Sequence, residues 1–295
     1  TARVPYGAKS QKTIVRYSLQ AAAKLIGQRI KLLVIACNTA TAAALPALRE
    51  TWPDMPIIGV IEPGSRAACE ASPSGDIAVI ATESTIRSGA YERCIEQARP
   101  GTQVLPQPCP LFVPLVENGR FRPGDVVIET VAAEYLAPLK AAGVDTLVLG
   151  CTHYPLLEEV IGAYMGPEVR LINSGAEGAR AAADCLRERD ALAGPGRGSC
   201  RCFVSDRQED FSRLQAMVPE LAAYAGRLGE SADTLYAYVT LEQEAGELLV
   251  KLMDYAQRRS DEDTRVPEYQ AMVGKITSQY VALSQAVSFE IPEVL

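Results

Sequence analysis

The chain has 295 residues, 48% of them hydrophobic, a net charge of −7 and a pI near 5.0. That length and apolar content support a sizeable core and more than one domain, while the acidic balance excludes the basic face that nucleic acid requires. No apolar run approaches the roughly 20 residues of a membrane span, nothing at the start has the form of a signal peptide, and a cytoplasmic protein is expected.

In chain order, TARVPYG, residues 1–7, reads as a start within a domain, so a fragment or trimmed chain is expected. KLLVIA, residues 31–36, is a buried-strand candidate leading into the alanine-rich TATAAALPALRETW, and PIIGVIEP follows closely. DIAVIAT, residues 76–82, is a second strand candidate and runs into a helical STIRSGAYERCIEQA. Past TQVLPQPCP, a long helix is predicted from about Asp125 to Ala142. The strand DTLVLG, residues 145–150, then leads into a helical PLLEEVIGAYM. VRLINSG precedes a helix from about Ala176 to Arg189, GPGRGS is a loop, and RCFVSD is the last strand-like run. Short apolar runs alternating with helical stretches predict parallel strands with crossover helices, an α/β fold.

Beyond about Arg227 the pattern changes. Tyr238, Leu241, Ala245, Leu248, Leu252 and Tyr255 recur at a 3–4 spacing. Tyr269, Val273, Ile276, Tyr280, Leu283 and Val287 repeat it after a charged link, as two helices with apolar seams would. Residues 226–295 hold 12 acidic and 6 basic residues, nearly all of the net charge. They read as a solvated helical tail contacting itself or another protein, with no catalytic constellation.

Eight cysteines, Cys37, Cys69, Cys94, Cys109, Cys151, Cys185, Cys200 and Cys202, do not form the pattern of a disulfide scaffold in a chain this long and apolar. Cys200 and Cys202 make only a CxC pair and His153 is the sole histidine, so no metal site is expected. Two cysteines stand apart. VIACNTATAAALPAL and LVLGCTHYPLLEEV repeat one unit: strand, cysteine, polar residue, helix. Ligands of parallel sheets gather at the carboxyl ends of strands, and a helix N-terminus there favours anions and lowers a thiol pKa. Cys37 and Cys151 are therefore expected at a cleft between two halves of the molecule.

Removing a proton from a carbon beside a carboxylate needs a well-aimed base and donors for the developing charge. A thiol, with an ordinary pKa of about 8.5, can be tuned to that task. Inverting a stereocentre needs a base on one face and an acid on the other. A thiolate and a thiol on opposite walls form such a pair, and no cofactor is required. No GxGxxG follows a strand, there is no P-loop, and no lysine falls in these motifs for pyridoxal chemistry. Asn38, Thr39 and Thr152 sit beside the cysteines, Thr82 and Thr85 open the helix after DIAVIA, and Pro5, Tyr6 and Gly7 form a loop with backbone donors. This polar set suits an amino-acid ligand.

TARVPYGAKS, VIACNTAT, IAVIATESTIRSGAY, CPLFVPLVENG, LGCTHYPLL and CFVSD together resemble the glutamate racemases of the cofactor-independent Asp/Glu racemase superfamily, over about residues 1–218. The resemblance implies two pseudo-symmetric parallel-sheet lobes with a cleft between them. One lobe comprises residues 1–62 and 174–225, the other 63–173, and the helical tail, 226–295, is an appendage foreign to the family pattern. It implies racemisation of L-glutamate to D-glutamate for peptidoglycan synthesis, without cofactor, with glutamate as the small-molecule partner and a homodimer as the common assembly. Cys37 and Cys151 would be the acid/base thiols, Glu117 and His153 would tune the Cys151 side, and Pro5, Tyr6, Gly7, Asn38, Thr39, Thr82, Thr85 and Thr152 would hold substrate. Relatives acting on aspartate carry His where Thr41 stands, which favours glutamate. The family pattern also has an Asp directly before the position of Thr1 and opens with a strand ending in Asp-Ser-Gly, neither of which appears here. The alternatives are a non-catalytic or regulatory binding protein on a truncated racemase scaffold, and an aspartate racemase.

Overall fold

The structure, a computed structural model, describes residues 6, 7 and 9–193. Pro5, the RCFVSD run and the helical tail lie outside the described residues. Six strands, β1 (Leu33–Ile35), β2 (Ile57–Gly59), β3 (Ile77–Ala81), β4 (Val104–Pro108), β5 (Thr146–Gly150) and β6 (Arg170–Asn173), alternate with helices. The helices are α1 (Gln11–Ile26), α2 (Asn38–Thr51), α3 (Ile61–Ala71), α4 (Glu83–Arg87), α5 (Ala90–Ala98), α6 (Phe112–Glu117), α7 (Val126–Ala141), α8 (Glu158–Met165) and α9 (Ser174–Glu188), and a 3-10 turn spans Tyr154–Leu157. The expected α/β class holds: every strand pairing is parallel. β1 pairs with β2, and a second sheet has the order β4-β3-β5-β6.

In that second sheet the chain steps from β3 to β4 on one side, then returns to place β5 on the other side of β3. The switch point, where a ligand crevice forms in such sheets, thus lies at the carboxyl ends of β3 and β5. Both strands are fully buried, which is why each reads as a continuous apolar run. Their side chains alternate between two cores. Ala78, Ile80, Leu147 and Leu149 face one that includes Phe112 of α6, Ile128 and Leu136 of α7 and Ile161 of α8. Ile77, Val79, Ala81 and Val148 face another with Ala68 of α3 and Ile95 of α5. A third core joins Ala22 of α1 and Ala44 and Leu48 of α2 to Leu33 and Ile57 of the two-stranded sheet.

Two local expectations are corrected and one unassigned stretch proves to be a strand. STIRSGAYERCIEQA is two helices, because Gly89 takes the left-handed conformation, φ 62°, between α4 and α5. TQVLPQPCP holds β4, an edge strand in which Pro106 and Pro108 are tolerated because one side has no ladder to join. The stretch after Cys151 opens with a 3-10 turn, and α8 begins only at Glu158. Among the described residues no helix is long and apolar enough to cross a membrane.

Candidate active site

Cys37 follows β1 and is the N-cap of α2. Its Sγ accepts a hydrogen bond from the Ala40 amide at 3.4 Å, the position a serine or aspartate usually takes. The helix N-terminus predicted behind this thiol is present, but the predicted lowering of its pKa is not. Burial pushes the Cys37 thiol up and outweighs the Ala40 and Thr39 amides and the Thr39 hydroxyl, which favour the thiolate. Cys151 is buried directly after β5 and has no long helix behind it. A side-chain partner takes that place: Cys151 Sγ lies 3.7 Å from His153 Nδ1. The other ring nitrogen of His153, Nε2, meets Glu117 Oε1 at 2.9 Å. Glu117, the last residue of α6, is buried rather than in an exposed loop, so a carboxylate orients the imidazole that faces the thiol. Thr152 Oγ1 lies 3.5 Å from the same Nδ1.

The two cysteine-bearing segments meet through threonines. Ala81 of β3 and Gly150 of β5 are register partners, so Thr82 and Cys151 leave adjacent strand ends side by side. Thr82 Oγ1 lies 3.0 Å from Thr39 Oγ1 and 3.0 Å from Thr85 Oγ1, and Thr39 and Thr85 are 3.1 Å apart. Three hydroxyls thus close a triangle between the N-termini of α2 and α4. Gly7 lies against it: a Cβ added at Gly7 would come within 3.1 Å of Thr82 Cβ, so the Tyr6–Gly7 segment borders the same place. Gly150 is equally constrained, since a Cβ there would sit 2.8 Å from the Ile80 carbonyl oxygen.

A second link involves residues the sequence reading passed over. Asn38, 2% exposed, donates from Nδ2 to Ser174 Oγ at 3.2 Å, and Ser174 donates to the Leu149 carbonyl at 2.9 Å. The Tyr91 phenol donates to Asn38 Oδ1 at 2.7 Å. The residue after Cys37 is therefore tied to the strand that delivers Cys151. Tyr91 reads in sequence as an ordinary face residue of an amphipathic helix and Ser174 as part of a helix start, and no local signal marks either. Of the predicted site residues, the structure joins Thr39, Thr82 and Thr85 in one cluster with Gly7 against it. It joins Cys151, Thr152, His153 and Glu117 in another, and sets Cys37 and Asn38 at the start of α2. Among the described residues no group of three or more His, Cys, Asp or Glu side chains could hold a metal ion.

Residues 1–182 match the family described as Asp/Glu/Hydantoin racemase. A glutamate racemase of Geobacter metallireducens is 50% identical over 215 residues, 72% of this chain and 78% of that protein. One of Lactiplantibacillus plantarum is 55% identical over 176 residues, 60% of this chain and 63% of the relative. Among solved structures, a glutamate racemase of Bacillus anthracis superposes with a TM-score of 0.69 at 36% identity, covering 73% of this chain and 80% of that one. A glutamate racemase of Francisella tularensis in complex with D-glutamate gives 0.67 at 34% identity, with the same coverage.

Proposed function

We propose that this chain, which belongs to the Asp/Glu/Hydantoin racemase family, interconverts L- and D-glutamate by a two-thiol mechanism. One thiolate removes the α-proton from one face of the substrate, and the opposite thiol delivers its own proton to the other face. The sulfur that began as base ends as acid, so the next turnover in the same direction follows proton exchange at both sulfurs. Cys37 serves one face and Cys151 the other. His153, held by Glu117, orients Cys151 and shares its proton. The hydroxyls of Thr39, Thr82 and Thr85, with Thr152, Asn38 and the Pro5–Gly7 loop, hold the charged groups of the substrate, as preorganised donors do where charge develops in the transition state.

The observation that carries this reading is the hydrogen-bonded framework joining the two cysteine segments: Thr39 to Thr82 beside Cys151, and Asn38 through Ser174 to the Leu149 carbonyl. The close glutamate racemase relatives support the choice of substrate. We read residues 1–62 with 174–225 as one lobe and 63–173 as the other, and assign the product D-glutamate to peptidoglycan synthesis.

The test is deuterium entry at the α-carbon in D₂O from either enantiomer. The wild type is expected to release deuterated product of the opposite configuration from both. Cys37→Ser and Cys151→Ser are each expected to lose at least about 10²-fold in kcat, the scale of removing a positioned acid or base. Racemisation retained in either variant would refute the two-thiol assignment.

A further inference from the structure

We infer that Tyr91 is a positioning residue for this racemisation, acting through Asn38 to hold the Cys37 segment in register with the Cys151 segment. The inference rests on the two-thiol reading and extends it to a residue that touches neither thiol by hydrogen bond.

The hydrogen-bond polarity of the chain is fixed from one end. The Leu149 carbonyl can only accept, so the Ser174 hydroxyl spends its one proton there. Ser174 Oγ is then the acceptor for Asn38, and Nδ2 must be the atom that faces it. That orients the amide and leaves Oδ1 to accept, and the partner it meets is the Tyr91 phenol at 2.7 Å. Tyr91 is 1% exposed, and burial pushes its phenol well above the ordinary range, so it keeps the proton it donates. Every proton in the series Tyr91–Asn38–Ser174–Leu149 therefore has one direction. A flipped Asn38 would set its NH₂ group against the Tyr91 donor and leave its oxygen facing a hydroxyl already committed elsewhere.

The same tyrosine ring also sets the other side. A Cβ at Gly150 would approach Tyr91 Cε2 to 3.2 Å, so the ring packs against the residue immediately before Cys151. One side chain of α5 thus contacts the neighbour of each thiol: the amide after Cys37 by hydrogen bond and the glycine before Cys151 by packing. Proton transfer at carbon is steep in donor–acceptor distance, and a misplacement of about 1 Å can cost about 10²-fold in rate.

Tyr91→Phe removes the hydroxyl and keeps the ring against Gly150. It is expected to lower kcat about 10- to 100-fold in both directions, with KM for glutamate changed less than about threefold. The deciding measurement is a double-mutant cycle with Asn38→Ala. If Tyr91 acts through Asn38, Tyr91→Phe costs little further activity, less than about twofold, in the Asn38→Ala background. A purely structural tyrosine would cost the same factor in both backgrounds, and such additivity overturns the inference. So does a Tyr91→Phe enzyme with wild-type kcat. A wild-type chain that racemises nothing overturns the two-thiol reading and this one together, whereas an active wild type with an additive cycle overturns only the role of Tyr91. If Tyr91→Phe does not fold, Ser174→Ala, which removes the acceptor that orients the same amide, takes its place in the cycle and is expected to be equally non-additive with Asn38→Ala.

Discussion

Thr39→Val separates the hydroxyl chemistry of the site from its shape. Valine preserves the volume, and Thr82 and Thr85 remain hydrogen-bonded to each other at 3.0 Å, so no buried hydroxyl is stranded. Two net hydrogen bonds of the triangle are lost, for about 1–2 kcal/mol of stability, and the fold survives. The functional consequence falls on Cys37. Its thiol is raised by burial and held back partly by the Thr39 hydroxyl, which donates to the thiolate. A hydrogen bond to a charged group is worth about 1.5–3 kcal/mol, and the hydroxyl gives up a neutral bond of about 1 kcal/mol to make it. The net preference for thiolate is about 1 kcal/mol, a factor of about five. The sign follows: without the donor the thiol rises further, so the thiolate appears at higher pH. Iodoacetamide labelling of Cys37, followed by peptide mass spectrometry across pH, is expected to shift its inflection upward and to fall about fivefold at any pH below it. Turnover in the direction that uses Cys37 as base is expected to fall with it. A Cys37 labelling profile that overlays the wild type, in a protein with unchanged circular dichroism, would refute the coupling of this hydroxyl to the thiol.

Gly150→Ala places a methyl group 2.8 Å from the Ile80 carbonyl oxygen and 3.0 Å from Ala81 Cβ, both on the facing strand. Overpacking of this kind costs about 1–3 kcal/mol, so a fall in Tm on the order of 5 °C is expected by calorimetry, with a larger proportional loss of turnover because Cys151 is the next residue. At the other end of β5, the partly exposed Asp145 accepts from the Ser72 and Ser74 hydroxyls and the Ser74 amide. Burial opposes its charge, but these donors outweigh burial and hold the carboxyl at about 2. Because its folded value lies below the unfolded one of about 3.9, its contribution is complete above pH 4 and is lost as pH falls toward 2. Discounted for solvent, that contribution is about 1 kcal/mol. Asp145→Asn is expected to flatten the acid limb of stability in urea melts between pH 4 and 2, and an unchanged limb would remove the carboxylate from that role.

What the sequence discloses and what it hides divide along a physical line. β3 and β5 are legible because both faces are covered, so every residue but Thr146 is apolar. The cysteine units are legible because strand, thiol and polar residue are adjacent in the chain. β4 is hidden because two prolines argue against a strand, and only the sheet order shows that it lies at an edge where they do no harm. The break at Gly89 is hidden because a single left-handed glycine interrupts the helix without disturbing the apolar periodicity. The direction of the Cys37 shift is hidden for a deeper reason. A helix N-terminus is a local property, visible as CNTAT, whereas the burial that overrides it is a property of the folded molecule. Tyr91 and Ser174 belong to the same class: they meet Asn38 across 53 and 136 positions, and no short-range pattern encodes those contacts.

The placement of the two thiol segments follows from backbone register more than from any loop. Pairing Ala81 with Gly150 fixes Thr82 beside Cys151 at the switch point of the sheet. Thr82 in turn bonds Thr39, two residues past Cys37, and Gly150 accepts the Tyr91 ring that bonds Asn38, one residue past Cys37. Each segment is thus located by the other through two independent routes, one of hydroxyls and one of an amide and a buried phenol. A loop-borne pair would drift with the loop. Cys151, at the end of a fully buried strand, has little freedom to do so, and Cys37 is held to it at the N-terminus of α2 by these two routes, a restraint that proton transfer between a carbon acid and a sulfur demands.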